Sequence, residues 1–137
     1  VQHDMDTSVF GDPIGIIPRM KESYFKAEQH LVALAKSCGE SLTAKARIFT
    51  GRIASGDQFI STAEGKQKIW DTVQGYCAEM EGAAIAHACY LNDIPFVIIR
   101  SISDDAEEKA HISYEKFVEI AAKNSSELLE KMLQQLS

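Results

Sequence analysis

Two periodicities alternate along this chain, and their order predicts its architecture. The most marked apolar run is residues 96–100, where Val97, Ile98 and Ile99 stand together behind Pro95. A short unbroken β-branched run predicts a strand covered on both faces, with the proline tolerated only at its start. The run gives way at once to Ser101, Ser103, Asp104 and Asp105. Ligands of open α/β sheets bind beyond the carboxyl ends of the strands, so any chemistry is expected at these polar residues.

Upstream, residues 7–22 scatter Gly11, Pro13, Gly15 and Pro18 among Phe10, Ile14, Ile16 and Ile17. That mixture predicts an irregular apolar loop packed on its own core or on a neighbouring subunit. Phe25, His30, Leu31, Leu34, Ala35 and Cys38 recur at helical spacing, which predicts a packing helix over residues 24–37 that Gly39 ends. Residues 46–55 alternate as a strand does, with Ile48, Thr50, Arg52 and Ala54 on one face. Gly56 permits a tight turn, and Phe59 and Ile60 follow on a loop. Ser61-Thr-Ala-Glu64 reads as a capping box, with Ser61 as the capping hydroxyl of a helix reaching Asp71. Residues 75–79 predict a short strand that runs directly into a helix of small residues over 79–89, stopped by residues 92–95. Ser113 is placed to cap a last helix, with Glu115 in its first turn and Phe117, Ile120, Ala121, Leu128 and Met132 on its stripe. Strands alternating with helices predict a layered α/β sheet.

Composition narrows the function classes. With 137 residues, 45% of them apolar, the chain can form one domain or a piece of one around a real core. A net charge of −6 and scattered Lys and Arg argue against a nucleic-acid footprint. No apolar run approaches the roughly 18 residues of a membrane span, and the opening is not that of a signal peptide, so the cytoplasm is the expected compartment. Cys38, Cys77 and Cys89 are odd in number and sit among apolar residues, which predicts buried reduced thiols. His3, His30, His87 and His111 lack metal-ligand spacing. The remaining candidates are carboxylates at two strand ends, Glu79 with Glu81 and Asp104 with Asp105, and the loop holding Phe59. An aromatic ring can stack on a flat base, a carboxylate can accept from a vicinal diol, and a second acid can protonate a leaving group. Caps and solvated charges would use the same residue types.

Three motifs decide which reading to pursue. Ser55-Gly-Asp-Gln-Phe-Ile60, Ala78-Glu-Met-Glu-Gly-Ala-Ala84 and Val97-Ile-Ile-Arg-Ser-Ile-Ser-Asp104, in this order and at these separations, resemble the bacterial 5'-methylthioadenosine/S-adenosylhomocysteine nucleosidases of the purine nucleoside phosphorylase superfamily. His3-Asp-Met-Asp6 and Ser113-Tyr-Glu-Lys-Phe117 extend the resemblance over essentially the whole chain. It implies a three-layer α/β/α fold with a twisted mixed sheet. It also implies hydrolysis of the N-glycosidic bond, with release of adenine and without metal or organic cofactor.

Residue by residue, the resemblance implies that Phe59 stacks on adenine while the Ile60 backbone reads the base edge. Met80 would lie against the ribose and Glu81 would bind its hydroxyls. Asp104, supported by Ser103, would be the general acid at purine N7, and Tyr114 would face the 5'-substituent. Phe10 and Pro18 match a loop that reaches into the neighbouring subunit's site, which implies a homodimer. Glu79 is expected to cap or pair, and His3 and His111 to be structural. The family's fold begins upstream of Val1, with the glutamate that activates water. Residues 1–137 are therefore expected to be the C-terminal part of a single nucleosidase domain, incomplete at its N-terminus and inactive alone. A futalosine-type nucleosidase, a purine nucleoside phosphorylase and a non-catalytic nucleoside-binding or dimerisation module are the alternatives.

Overall fold

The structure, a computed structural model, describes residues 1–44, 46–102 and 114–136. After a 3-10 turn at Ser8–Phe10 come α1 (Gln29–Glu40), β1 (Ile53–Ser55), α2 (Ala63–Val73), β2 (Cys77–Glu79), α3 (Gly82–Leu91) and α4 (Tyr114–Leu136). The chain is thus α/β. It divides into two units, one of Val1–Ala27 with Gly51–Ile98 and one of Glu28–Thr50 with Ile99–Ser137.

The first unit is built on a parallel ladder. β1 pairs with β2 in the register Ile53↔Cys77, Ala54↔Ala78 and Ser55↔Glu79. On the other side of β1, Gln2 bridges Ser55 in parallel, with the Ser55 amide donating to Val1 O at 2.8 Å and the His3 amide to Ser55 O at 2.8 Å. Parallel strands need a crossover, and α2 supplies it between β1 and β2. Its buried residues Ile69 and Val73 close over Val1 and Ala54, with Tyr24 and Ile60 packed against that cluster. The helix of small residues is α3, where Gly82, Ala83 and Ala86 are buried and permit a close approach to β1.

In the second unit α1 packs on α4, with Leu34 and Cys38 buried on one helix and Leu128 and Met132 on the other. Gln135 Nε2 lies 3.4 Å from Cys38 Sγ. Glu127 of α4 fastens the segment after α1, accepting from the Thr43 amide at 3.0 Å and its hydroxyl at 2.9 Å. Those two bonds, the amide's first, hold the Glu127 carboxyl below its usual range. None of the three cysteines forms a disulfide, and only Cys38 is buried as expected, Cys77 and Cys89 being half-buried.

Several boundaries move, for identifiable reasons. The first helix starts at Gln29, not at residue 24, because Tyr24 and Phe25 are engaged elsewhere. The Arg52 guanidinium sits 4.5 Å from the Tyr24 ring centroid, and Phe25 stacks on His87 at 4.8 Å and meets Tyr90 at 5.3 Å. Glu28 caps the helix instead, accepting from the Leu31 amide at 2.7 Å. Gly39 does not end this helix but lies buried inside it, where a Cβ would come within 2.9 Å of Ile48 Cδ1. With Ile48 packed on a helix, only Ile53–Ser55 of the expected strand 46–55 enters the ladder. The α2 cap is Thr62 in place of Ser61, its hydroxyl accepting from Gly65 N at 3.1 Å. Residues 96–100 form no strand among the described residues. Residues 96–98 are half-buried and fit the apolar reading, but a strand also requires a ladder partner, and the described ladder ends with β2. The expected Ser113 cap and the loop 106–111 lie outside the described residues.

Val73 is 1% exposed, so Val73→Ala is expected to lower the unfolding free energy by about 2 kcal/mol in denaturant titration, the cost of two buried methyl groups and their cavity. Acid should also loosen the second unit. A carboxyl with a depressed folded-state pKa contributes stability above its ordinary value, here 4.5, and loses it as pH falls through the lower folded value. Glu127→Gln should therefore flatten the acid limb of the stability–pH profile, and an unchanged limb would show that the Thr43 bonds contribute nothing.

Candidate functional site

Register puts the two motif loops of the first unit at one edge. Ser55 and Glu79 are partners at the carboxyl ends of adjacent parallel strands, and the Gly56 amide continues the ladder by donating to Glu79 O at 3.0 Å. The loop leaving β1 carries Phe59 and Ile60, and the turn leaving β2 carries Met80 and Glu81. This is the edge at which parallel sheets bind ligands.

Side chains fix that edge in place. The Ser55 hydroxyl donates to Glu79 Oε1 and accepts from the Ala83 amide at 2.7 Å. Both Glu79 oxygens accept from the Gly82 amide, at 2.9 and 2.8 Å, and Oε2 also accepts from the Glu81 amide at 3.1 Å. The first amides of a helix have no partner within it, and their partial positive charge suits a carboxylate. Glu79 is therefore a capping residue, as its sequence position suggested. On the β1 side, Asp4 Oδ2 accepts from the Asp57 amide at 2.7 Å, and the His3 ring covers Gly56, where a Cβ would meet Nε2 at 2.4 Å. Any side chain at position 56 would displace that ring.

The candidate ligand contacts divide by exposure. Phe59 is 84% exposed, whereas the adjacent Ile60 is half-buried against the core cluster. Met80 is 46% exposed, and Glu81 is exposed at the N-cap position of α3. Phe10 is 82% exposed on a turn that Asp6 starts by accepting from the Ser8 amide at 3.0 Å. Hydrogen bonds from the Ser8 side chain and then its amide hold the Asp6 carboxyl below its usual range. Pro18 is exposed in the Ile17–Met20 turn, closed by the Met20 amide on Ile17 O at 3.2 Å. Asp104 and Ser103 lie outside the described residues, and Tyr114 opens α4. Among the described residues no three His, Cys, Asp or Glu side chains form a group able to hold a metal ion, and no helix is long and apolar enough to cross a membrane.

Sequence reasoning assigned no role to Ser55 or Asp4. The available signal was a hydroxyl ending one strand opposite a carboxylate ending the next, which becomes visible only once the register is known.

The description "Phosphorylase superfamily" fits residues 1–134 of this chain. The chain belongs to the phosphorylase superfamily. Among solved structures of superfamily type, the Campylobacter jejuni 5'-methylthioadenosine/S-adenosyl homocysteine nucleosidase is similar at 36% identity and a TM-score of 0.86, over 98% of this chain and 57% of that one. The Neisseria meningitidis 5'-methylthioadenosine/S-adenosylhomocysteine nucleosidase, in complex with methylthio-immucillin-A, matches at 36% identity and a TM-score of 0.83, covering 98% and 58%. The Helicobacter pylori futalosine hydrolase matches at 34% identity and a TM-score of 0.84, covering 98% and 56%. The chain thus spans just over half the length of each of these superfamily structures.

Exposure makes a direct prediction about stability. Phe59→Ala and Phe10→Ala should each leave the unfolding free energy within about 0.5 kcal/mol of the parent, as at other exposed positions. A much larger loss in a thermal or denaturant melt would mean that these rings are structural.

Proposed function

We propose that this chain is part of an N-glycosidase that hydrolyses 5'-methylthioadenosine and S-adenosylhomocysteine, releasing adenine and a thioribose product. The observation that carries the proposal is the shared edge of β1 and β2, where the base-loop and ribose-turn motifs meet through Ser55 and Glu79. Similarity to nucleosidases over 98% of this chain supports the same reaction class.

In this reading Phe59 stacks on adenine while Ile60 anchors its loop in the core and reads the base edge through its backbone. Met80 covers the ribose, and the Glu81 carboxylate accepts from its hydroxyls. Cleavage develops positive charge on the ribose and negative charge on the leaving purine, so protonation of N7 lowers the barrier. Asp104, with Ser103 beside it, supplies that proton. An aspartic acid has an ordinary pKa near 3.9, so this role requires desolvation or an ordered hydrogen bond that keeps it protonated. Tyr114 faces the 5'-substituent. Phe10 and Pro18 of a second copy complete the pocket, making the working unit a homodimer, and residues 1–137 form part of a single nucleosidase domain.

The likeness to a futalosine hydrolase favours one second reading, a nucleoside with a different 5' group on the same ribose. The deciding assay is purine release by the complete gene product in phosphate-free buffer, with methylthioadenosine, S-adenosylhomocysteine and futalosine offered in parallel. Asp104→Asn should reduce kcat by about 10²- to 10⁴-fold, the usual worth of a general acid. Release that requires phosphate would move the reaction to phosphorolysis, and silence on all three nucleosides from a folded protein would sink the proposal.

A further inference from the structure

We infer that Ser55 and Glu79 are positioning residues that set the affinity for the ribose, an inference that rests on the nucleosidase reading. Ser55 is 3% exposed, and between them the two side chains hold the backbone amides of Glu81, Gly82 and Ala83. Three consecutive amides fixed in this way define where the Glu81 Cα stands and in which direction its side chain leaves.

The division of labour between the two glutamates is unusual. A helix is ordinarily capped by the side chain of its N-cap residue. Here the N-cap residue is Glu81, which makes no side-chain capping bond, and the capping is done from two residues earlier by Glu79. The Glu81 carboxylate thus stays outside the cap while its backbone remains rigid, as a group needs to be if it is to meet a diol without first paying for its own ordering. Ser55 links this turn to β1, so the base loop and the ribose turn share one anchor.

The test uses the complete gene product with the variants Glu79→Gln and Ser55→Ala, plus Ser55→Thr as the hydroxyl-retaining control. Three quantities are compared: kcat/KM for methylthioadenosine, kcat/KM for its 2'-deoxy counterpart, and the inhibition constant of free adenine. Glu79→Gln and Ser55→Ala should each lower kcat/KM for the ribonucleoside by about tenfold or more while changing the deoxy substrate and adenine by less than about threefold. Ser55→Thr should retain the parent's preference for the ribonucleoside. Equal losses on both substrates, loss of adenine binding in step with them, or failure of both variants to fold would make the pair merely structural and overturn the inference. A parent protein that releases adenine from neither nucleoside would instead overturn the nucleosidase reading, and this inference with it.

Discussion

One buried hydroxyl holds together the edge of the first unit that carries the candidate site. Ser55 ends β1, donates to the carboxylate that ends β2 and accepts from the third amide of the turn that opens α3. Both capacities of the hydroxyl are used inside the protein, so its burial carries no unsatisfied polar group. The parallel register makes this possible, because it brings both strand ends to the same side of the sheet. An antiparallel pairing would have sent the loops of β1 and β2 to opposite ends.

Around this anchor, adjacent residues divide the work of holding and presenting. Ile60 is packed on the cluster of Val1, Ala54, Ile69 and Val73, whereas Phe59 projects into solvent. An aromatic residue left outside the core gives up burial worth about 2 kcal/mol or more. Such a ring, on a loop pinned at Asp57 by Asp4 and at Ile60 by the core, is held in place without being buried. The same contrast holds at the next strand end, where Glu79 is tied into the backbone and Met80 and Glu81 face outward.

Much of the architecture was legible in the sequence because period and composition encode it. The small-residue helix after Glu79, the amphipathic last helix and the short strand before the Met-Glu pair all lie where their patterns put them. The losses at the first helix and in the strand expected at residues 46–55 share one cause, which is that tertiary partners override local pattern. Helical spacing through Tyr24 and Phe25 yielded to an Arg52 cation and a His87 ring, and Ile48 left its strand pattern to fill the space over Gly39. At the candidate site, the motifs picked out the candidate contact residues Phe59, Met80 and Glu81, and Glu79 was readable as a cap. Ser55 and Asp4 were not, since their partners lie 24 and 53 residues away in sequence and a local pattern holds no information about them.

The spacing of the two glutamates follows from electrostatics. Two carboxylates separated by one residue repel each other, and a turn that kept both near the same point would favour protonating one of them. Here the positive end of α3 takes up the first, through amides at 2.8 to 3.1 Å. Hydrogen bonds to a charged acceptor contribute about 1.5 to 3 kcal/mol each, more than neutral ones. The half-buried Glu79 carboxylate is thus directed into the helix end. The intervening Met80 leaves Glu81 at the N-cap position, where the chain turns and the side chain faces solvent. With one carboxylate bonded to the turn's own amides, the backbone that carries the other is held rigid, so Glu-x-Glu-Gly caps this turn from two residues before its N-cap position.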